Sequence, residues 1–262
     1  MAISVVQSVV QTGNVTTSPQ AVSATFPAPV TPGNVVVAIA GAFLDGTPSV
    51  AIPAFSSTYG YSGNAAEFGW YQENGSGAST GLTMIQNGDP TASGNPYLYL
   101  IGDAVYADAS TSGGNTVTIT ATNLGNQSDT ASSKLVLACF ELSGQTPNYP
   151  PINDLGNVST SGAGTYPASG YSLSSVQTAI VALCVGQTGV PTTDGTSIGN
   201  GTTGLLNYRA AYKTGLSGTN AVFFTVGSGI VLVRECAILL PPIRSSRPPG
   251  PFARIPASSF TR

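Results

Sequence analysis

The 262 residues of this chain include 8 Lys or Arg, 11 Asp or Glu and no histidine, against 32 glycines and 19 prolines. Without histidine there is no Ser-His-Asp triad and no imidazole to carry protons near pH 7, so composition points away from turnover and toward structure or binding. A hydrophobic fraction of 41% excludes a disordered chain, and the length suits one large β-sandwich or two small domains.

At the start, Met1-Ala2-Ile3-Ser4 lacks a basic leader, and residues 5–10 are too short and too polar for a signal core. Synthesis in a cytoplasm without an export step is the expectation, and no apolar run approaches a membrane span. Strands then follow one another in quick succession. Runs rich in β-branched and apolar residues predict them over 3–11, 22–26, 34–43, 67–73, 97–107, 116–122, 134–142, 178–185, 207–213, 221–226 and 230–240. Tight turns are predicted at Pro32-Gly33, Asn87-Gly88-Asp89-Pro90, Ser112-Gly113-Gly114-Asn115 and Asp194-Gly195, where Gly and Asn tolerate positive φ and Pro presets it. No segment of ten residues carries period-3.6 patterning; at most a helical turn is expected near 64–68 or 205–211. The fold class is therefore all-β.

Two of these strands are apolar on both faces. Leu135, Leu137 and Cys139 alternate with Val136, Ala138 and Phe140, and Ala179, Val181 and Leu183 with Ile180, Ala182 and Cys184. Such strands need cover on both sides, and a second sheet plus a neighbouring chain would supply it where helices are lacking. Cys139, Cys184 and Cys236 each lie in an apolar run, odd in number and without metal-type spacing, so they read as small buried residues. Whether two of them pair is open at this level.

Candidates for chemistry are few. Glu67 and Glu73 flank Trp70, and Asp103 and Asp108 flank a strand; a glycosidase needs paired carboxylates, but no motif fixes a separation here, and isolated surface acids are expected. Asp89, Asp129, Asp154 and Asp194 fall in loop-like stretches without the dense acidic pattern of a calcium loop, so no metal and no cofactor is expected. Gly195-Thr196-Ser197-Ile198-Gly199 matches Gly-x-Ser-x-Gly, but in a turn-rich loop and not between a strand and a helix. The aromatic stretch with Tyr59, Tyr61, Trp70 and Tyr71 is either core packing or, if its rings are exposed together, a glycan-binding face.

An internal echo runs through the chain. Gly33-Asn34-Val35-Val36-Val37-Ala38-Ile39-Ala40-Gly41 resembles 176–186, each half then reaches a Thr/Val strand (116–122 or 221–226), and each closes on an apolar strand (134–142 or 230–240). Two such four-strand halves, about 1–145 and 146–240, would together make one jelly-roll-like antiparallel sandwich over 1–240.

Four phrases in this order carry a resemblance: Phe26-Pro27-Ala28-Pro29-Val30-Thr31-Pro32-Gly33-Asn34-Val35-Val36-Val37-Ala38, Asn115-Thr116-Val117-Thr118-Ile119-Thr120, Leu135-Val136-Leu137-Ala138-Cys139-Phe140-Glu141-Leu142-Ser143-Gly144 and Tyr208-Arg209-Ala210-Ala211-Tyr212-Lys213. The chain resembles, over about 1–240, the β-sandwich modules of tailed-bacteriophage structural proteins. The resemblance implies a virion part: a capsid decoration (cement) protein, a tail component or a fibre module. The expected partners are then copies of itself, as a trimer, and a major capsid or other virion protein; the sparse arginines argue against nucleic acid and the lack of a long apolar run against a membrane. A fibre or tail adhesin binding a host-surface glycan is the rival reading. A surface this neutral suits a protein held in a fixed assembly, which needs little charge repulsion to stay dispersed.

The last segment, 241–262, departs from that module. Residues 1–243 hold every acid and four bases, a net of −7, whereas 244–262 hold four arginines and no acid, a net of +4. Six prolines keep the segment extended. Arg244, Arg247, Arg254 and Arg262, interspersed with Phe252, Ile255 and Phe260, read as an anchor laid across a partner, guanidinium to carboxylate and aromatic ring into a pocket.

Overall fold

The computed structural model describes residues 3–14, 20–31, 34–44, 54–61, 64–68, 85–87, 97–106, 116–122, 134–144, 153–204 and 206–238. In chain order the first strands are β1 (Ser4–Asn14), β2 (Gln20–Thr25), β3 (Val35–Leu44), β4 (Ala54–Tyr61), β5 (Asn64–Phe68), β6 (Ile85–Asn87), β7 (Tyr97–Tyr106), β8 (Thr116–Thr122) and β9 (Lys134–Ser143). They are followed by β10 (Asn153–Ser161), β11 (Gly164–Tyr166), β12 (Tyr171–Thr188), β13 (Thr192–Thr193), β14 (Thr196–Thr203), β15 (Leu206–Asn220), β16 (Phe224–Val226) and β17 (Ser228–Ile238). No helix occurs among the described residues, and the two stretches expected to hold a helical turn lie in β5 and β15. Both pair along their length with an antiparallel neighbour, which overrides the weak local preference for a turn.

Among the described residues these strands form four antiparallel sheets. Residues 4–143 build an inner sheet in the order β1-β9-β3-β7-β6 and an outer sheet β2-β8-β4-β5. Residues 153–238 build an inner sheet β10-β17-β12-β15-β14 and an outer sheet β11-β16-β13. The order is the same twice: β10 to β13 take the places of β1 to β4, and β14 to β17 those of β6 to β9. Every strand pair among the described residues stays within one half. The sequence echo thus marks equivalent strands, but each half carries two sheets of its own rather than one four-strand share of a single sandwich.

The two inner sheets face each other. Val37, Ile39, Val136, Ala138 and Phe140 of the first meet Val181, Leu183, Val185 and Ala210 of the second in one buried cluster. Behind the second inner sheet, Ile180, Ala182, Cys184, Val231 and Val233 pack on Phe224 and Val226 of β16. Behind the first, Val36, Ala38, Leu135, Leu137 and Cys139 are fully buried, and β2 lies alongside, with Val22 close enough that a Cβ on Gly13 would come within 3.3 Å of it. Each fully buried Val, Leu, Ile or Phe contributes about 1.5–3 kcal/mol, so the doubly covered strands are the energetic centre of the fold. Their second cover comes from the other half of the same chain. The expectation that a neighbouring chain supplies it is corrected here: duplication provides the missing layer internally.

Candidate functional site

With so few charged side chains, those that fold inward are informative. Glu141 stands on β9 among apolar neighbours and is fully buried. Its Oε1 accepts the Thr31 N–H at 2.9 Å and the Asn34 amide, and its Oε2 accepts the Gln7 amide. Gln7, on β1, also brackets Ala28: its Nε2 donates to the Ala28 carbonyl at 2.9 Å, and its Oε1 accepts the Ala28 N–H at 3.1 Å. The connection between β2 and β3 is therefore fastened from beneath by one carboxylate and one amide. A buried carboxylate needs such donors, because each unpaired one would cost several kcal/mol.

The second half has its own cluster, differently placed. Asp194, in the turn between β13 and β14, accepts the Phe223 N–H on Oδ1 at 2.9 Å, and its own N–H donates to the Phe223 carbonyl at 3.2 Å. Its Oδ2 pairs with Lys213 Nζ of β15 at 2.7 Å. Lys213 also donates to the Ala221 carbonyl at 2.7 Å and lies over the Phe223 ring, 5.4 Å from its centroid. From β17, fully buried Glu235 accepts the Val222 N–H on Oε1 at 2.7 Å. Residues 221–223 are thus held by three side chains from three elements.

Glu235 Oε2 has no hydrogen-bond partner among the described residues. Burial pushes its pKa up to about 8; the Val222 N–H and the Lys213 ammonium pull it down, and the Asp194 carboxylate pushes it further up. At neutral pH Glu235 is a carboxylic acid. A carboxyl raised this way can serve as a general acid when it lines a cleft. Glu235 is 0% exposed, however, so no substrate reaches it, and its geometry suits fastening instead. Among the described residues no three His, Cys, Asp or Glu side chains converge as a metal site would require.

The remaining polar contacts fasten strands too. Lys134 Nζ donates to Asn14 Oδ1 at 2.7 Å, tying the start of β9 to the end of β1. Arg209 on β15 donates through Nε to the Pro191 carbonyl and through a terminal nitrogen to Ser197 Oγ at 3.3 Å. Ser197, the central residue of the Gly-x-Ser-x-Gly match, therefore lies on β14 beside an arginine and not in the loop expected for it. Asp154 likewise belongs to a strand, β10, and Asp103 to the interior of β7. Cys139 and Cys184 are free, buried thiols whose pKa values burial drives far above the ordinary range, Arg209 pulling Cys184 slightly back.

Tyr59 and Tyr61 occupy alternate positions of β4, in register with Ala66 and Asn64 of β5. Trp70, Tyr71 and the whole of 241–262, including Arg244, Arg247, Phe252, Arg254, Ile255, Phe260 and Arg262, lie outside the described residues. Neither Glu141 nor Glu235 is a candidate on sequence alone. The signal was there: a single carboxylate in a largely apolar strand, Cys139-Phe140-Glu141-Leu142 or Val233-Arg234-Glu235-Cys236, must find buried donors or stay protonated when it folds inward. No protein family, curated protein or solved structure matches the chain.

Proposed function

We propose that this chain is a non-enzymatic structural protein of a bacteriophage particle, a capsid decoration protein made in the host cytoplasm and resident in the virion. The observation that carries the reading is the repeated strand order. β1-β9-β3-β7 over β2-β8-β4-β5 follows the paired Greek keys of a jelly roll, and the second half repeats the pattern with its β5 equivalent missing. Two jelly rolls in tandem, fused through their inner sheets, form a thick block suited to lying between shell subunits.

The polar inventory supports the same reading. Every inward-facing charge described above fastens a connection or a strand end, which is what a protein selected for rigidity requires. The partners on this proposal are further copies of the chain, as a trimer, and a major capsid protein, reached in part through the 241–262 arm. Many repeated weak contacts around a shell add up by avidity without any one interface being strong.

Particles assembled without this protein test the role. They should form but release their genome at a lower temperature than complete particles, and adding the purified protein back should restore the difference. Particles of unchanged heat resistance would refute a cementing role.

A further inference from the structure

We infer that β1 is a docking edge at which a second copy of this chain adds its own β1, antiparallel, across a two-fold axis along the sheet normal. Among the described residues β1 shares its backbone ladder with β9 alone, which makes it an edge of the inner sheet. Sheet edges are normally guarded against such pairing by charge, proline, brevity or a bulge. β1 has eleven residues with no charge and no proline, and its residues 4–11 are Ser-Val-Val-Gln written twice. One guard is present: the register shifts between Val5 and Gln7. That leaves residues 7–14 regular. Val6, at the shift, is 51% exposed and is the one exposed large hydrophobic among the described residues.

The other edges of the inner sheets differ. β6 has three residues and β10 carries Asp154. β14, uncharged like β1, lies on the same side of the molecule: a Cβ on Gly199 would come within 2.9 Å of Val10. One side of the block thus presents two neighbouring uncharged strand edges, and the opposite side does not match it.

A second copy is the occupant these features select. The arm 241–262 is a poor ladder partner, because its six prolines lack the N–H a ladder needs. Self-pairing brings no like charges together, and an axis along the sheet normal keeps the two faces of the joined sheet continuous. The contact closes as a dimer because the same edge is used on both copies. This two-fold contact is distinct from the three-fold association proposed above, and it does not depend on a place in a virion.

The purified full-length chain tests it by light scattering or sedimentation over a concentration series. The wild type should pass from monomer to dimer, and Val6→Lys combined with Gln11→Lys should weaken dimerisation at least about tenfold without lowering the melting midpoint. Should the double variant fold poorly, amide exchange on the wild type decides instead: residues 7–14 should gain protection as concentration rises. A wild type that stays monomeric, an undiminished dimer in the folded double variant, or β1 protection independent of concentration would each overturn the inference. Heat resistance of particles is a separate readout and would fail separately.

Discussion

The Asn34 side-chain amide donates to the buried Glu141 carboxylate, and through that bond two distant phrases of the sequence become one device. Asn34 ends the Pro-Ala-Pro-Val-Thr-Pro-Gly-Asn stretch, and Glu141 lies in the strand Ala-Cys-Phe-Glu-Leu-Ser, 107 positions later. The turn phrase and the strand phrase are physical partners: one supplies donors, the other the acceptor.

Replacing Glu141 with Gln should therefore destabilise the fold. The amide nitrogen would face donors from Gln7, Thr31 or Asn34, leaving at least one buried N–H unpaired, at a cost of about 2–3 kcal/mol. Chemical denaturation measures it, and a double-mutant cycle with Asn34→Ala should give a coupling of about 1 kcal/mol or more. Additive effects would mean the two residues act independently.

Glu235 makes stability depend on pH in the opposite sense to most carboxylates. Its folded pKa of about 8 lies above the ordinary 4.5, so between these values the folded state holds a proton that the unfolded state has lost. Stability from this group is complete below about pH 4.5 and declines by at most about 1.4 kcal/mol per pH unit until pH passes about 8. Glu235→Gln should be close to wild type at pH 4.5 and more stable than wild type at pH 8. Parallel stability curves for the two proteins would contradict the assignment.

Lys213 and Asp194 tune that group in opposite directions. Lys213→Met should move the Glu235 transition to higher pH, and Asp194→Asn should move it lower. The Asp194 carboxylate is 47% exposed, so loss of its ion pair alone should cost less than about 1 kcal/mol. Denaturation midpoints followed against pH for the three proteins separate these effects.

Cys139 and Cys184 should escape alkylation in the folded protein, because the reactive species is the thiolate and burial keeps both thiols protonated. Peptide mapping after iodoacetamide treatment at pH 8 reads this directly. Modification of either residue without unfolding would show that the layers around it open.

Much of this architecture was legible in the residues, for an identifiable reason. Strands such as β3, β9 and β12 are buried on both faces and announce themselves by continuous Val, Ile, Leu and Ala. β10 (Asn-Asp-Leu-Gly-Asn-Val-Ser-Thr-Ser) and β14 (Thr-Ser-Ile-Gly-Asn-Gly-Thr-Thr) did not, since they read as turns and become strands only by pairing with β17 and β15. Missing them hid the scale of the repeat: the likeness of β3 to β12 was visible, but not that each half closes its own pair of sheets. The buried carboxylates were hidden differently, because a lone Glu in a strand does not name its donors until Thr31, Asn34 or Val222 is brought to it.

Quantitative mass spectrometry of purified particles tests the central claim most directly. A shell decoration protein should be present at on the order of hundreds of copies, in fixed ratio to the major capsid protein, as a repeating lattice requires. Roughly a few dozen copies or fewer, or a protein absent from particles altogether, would contradict it.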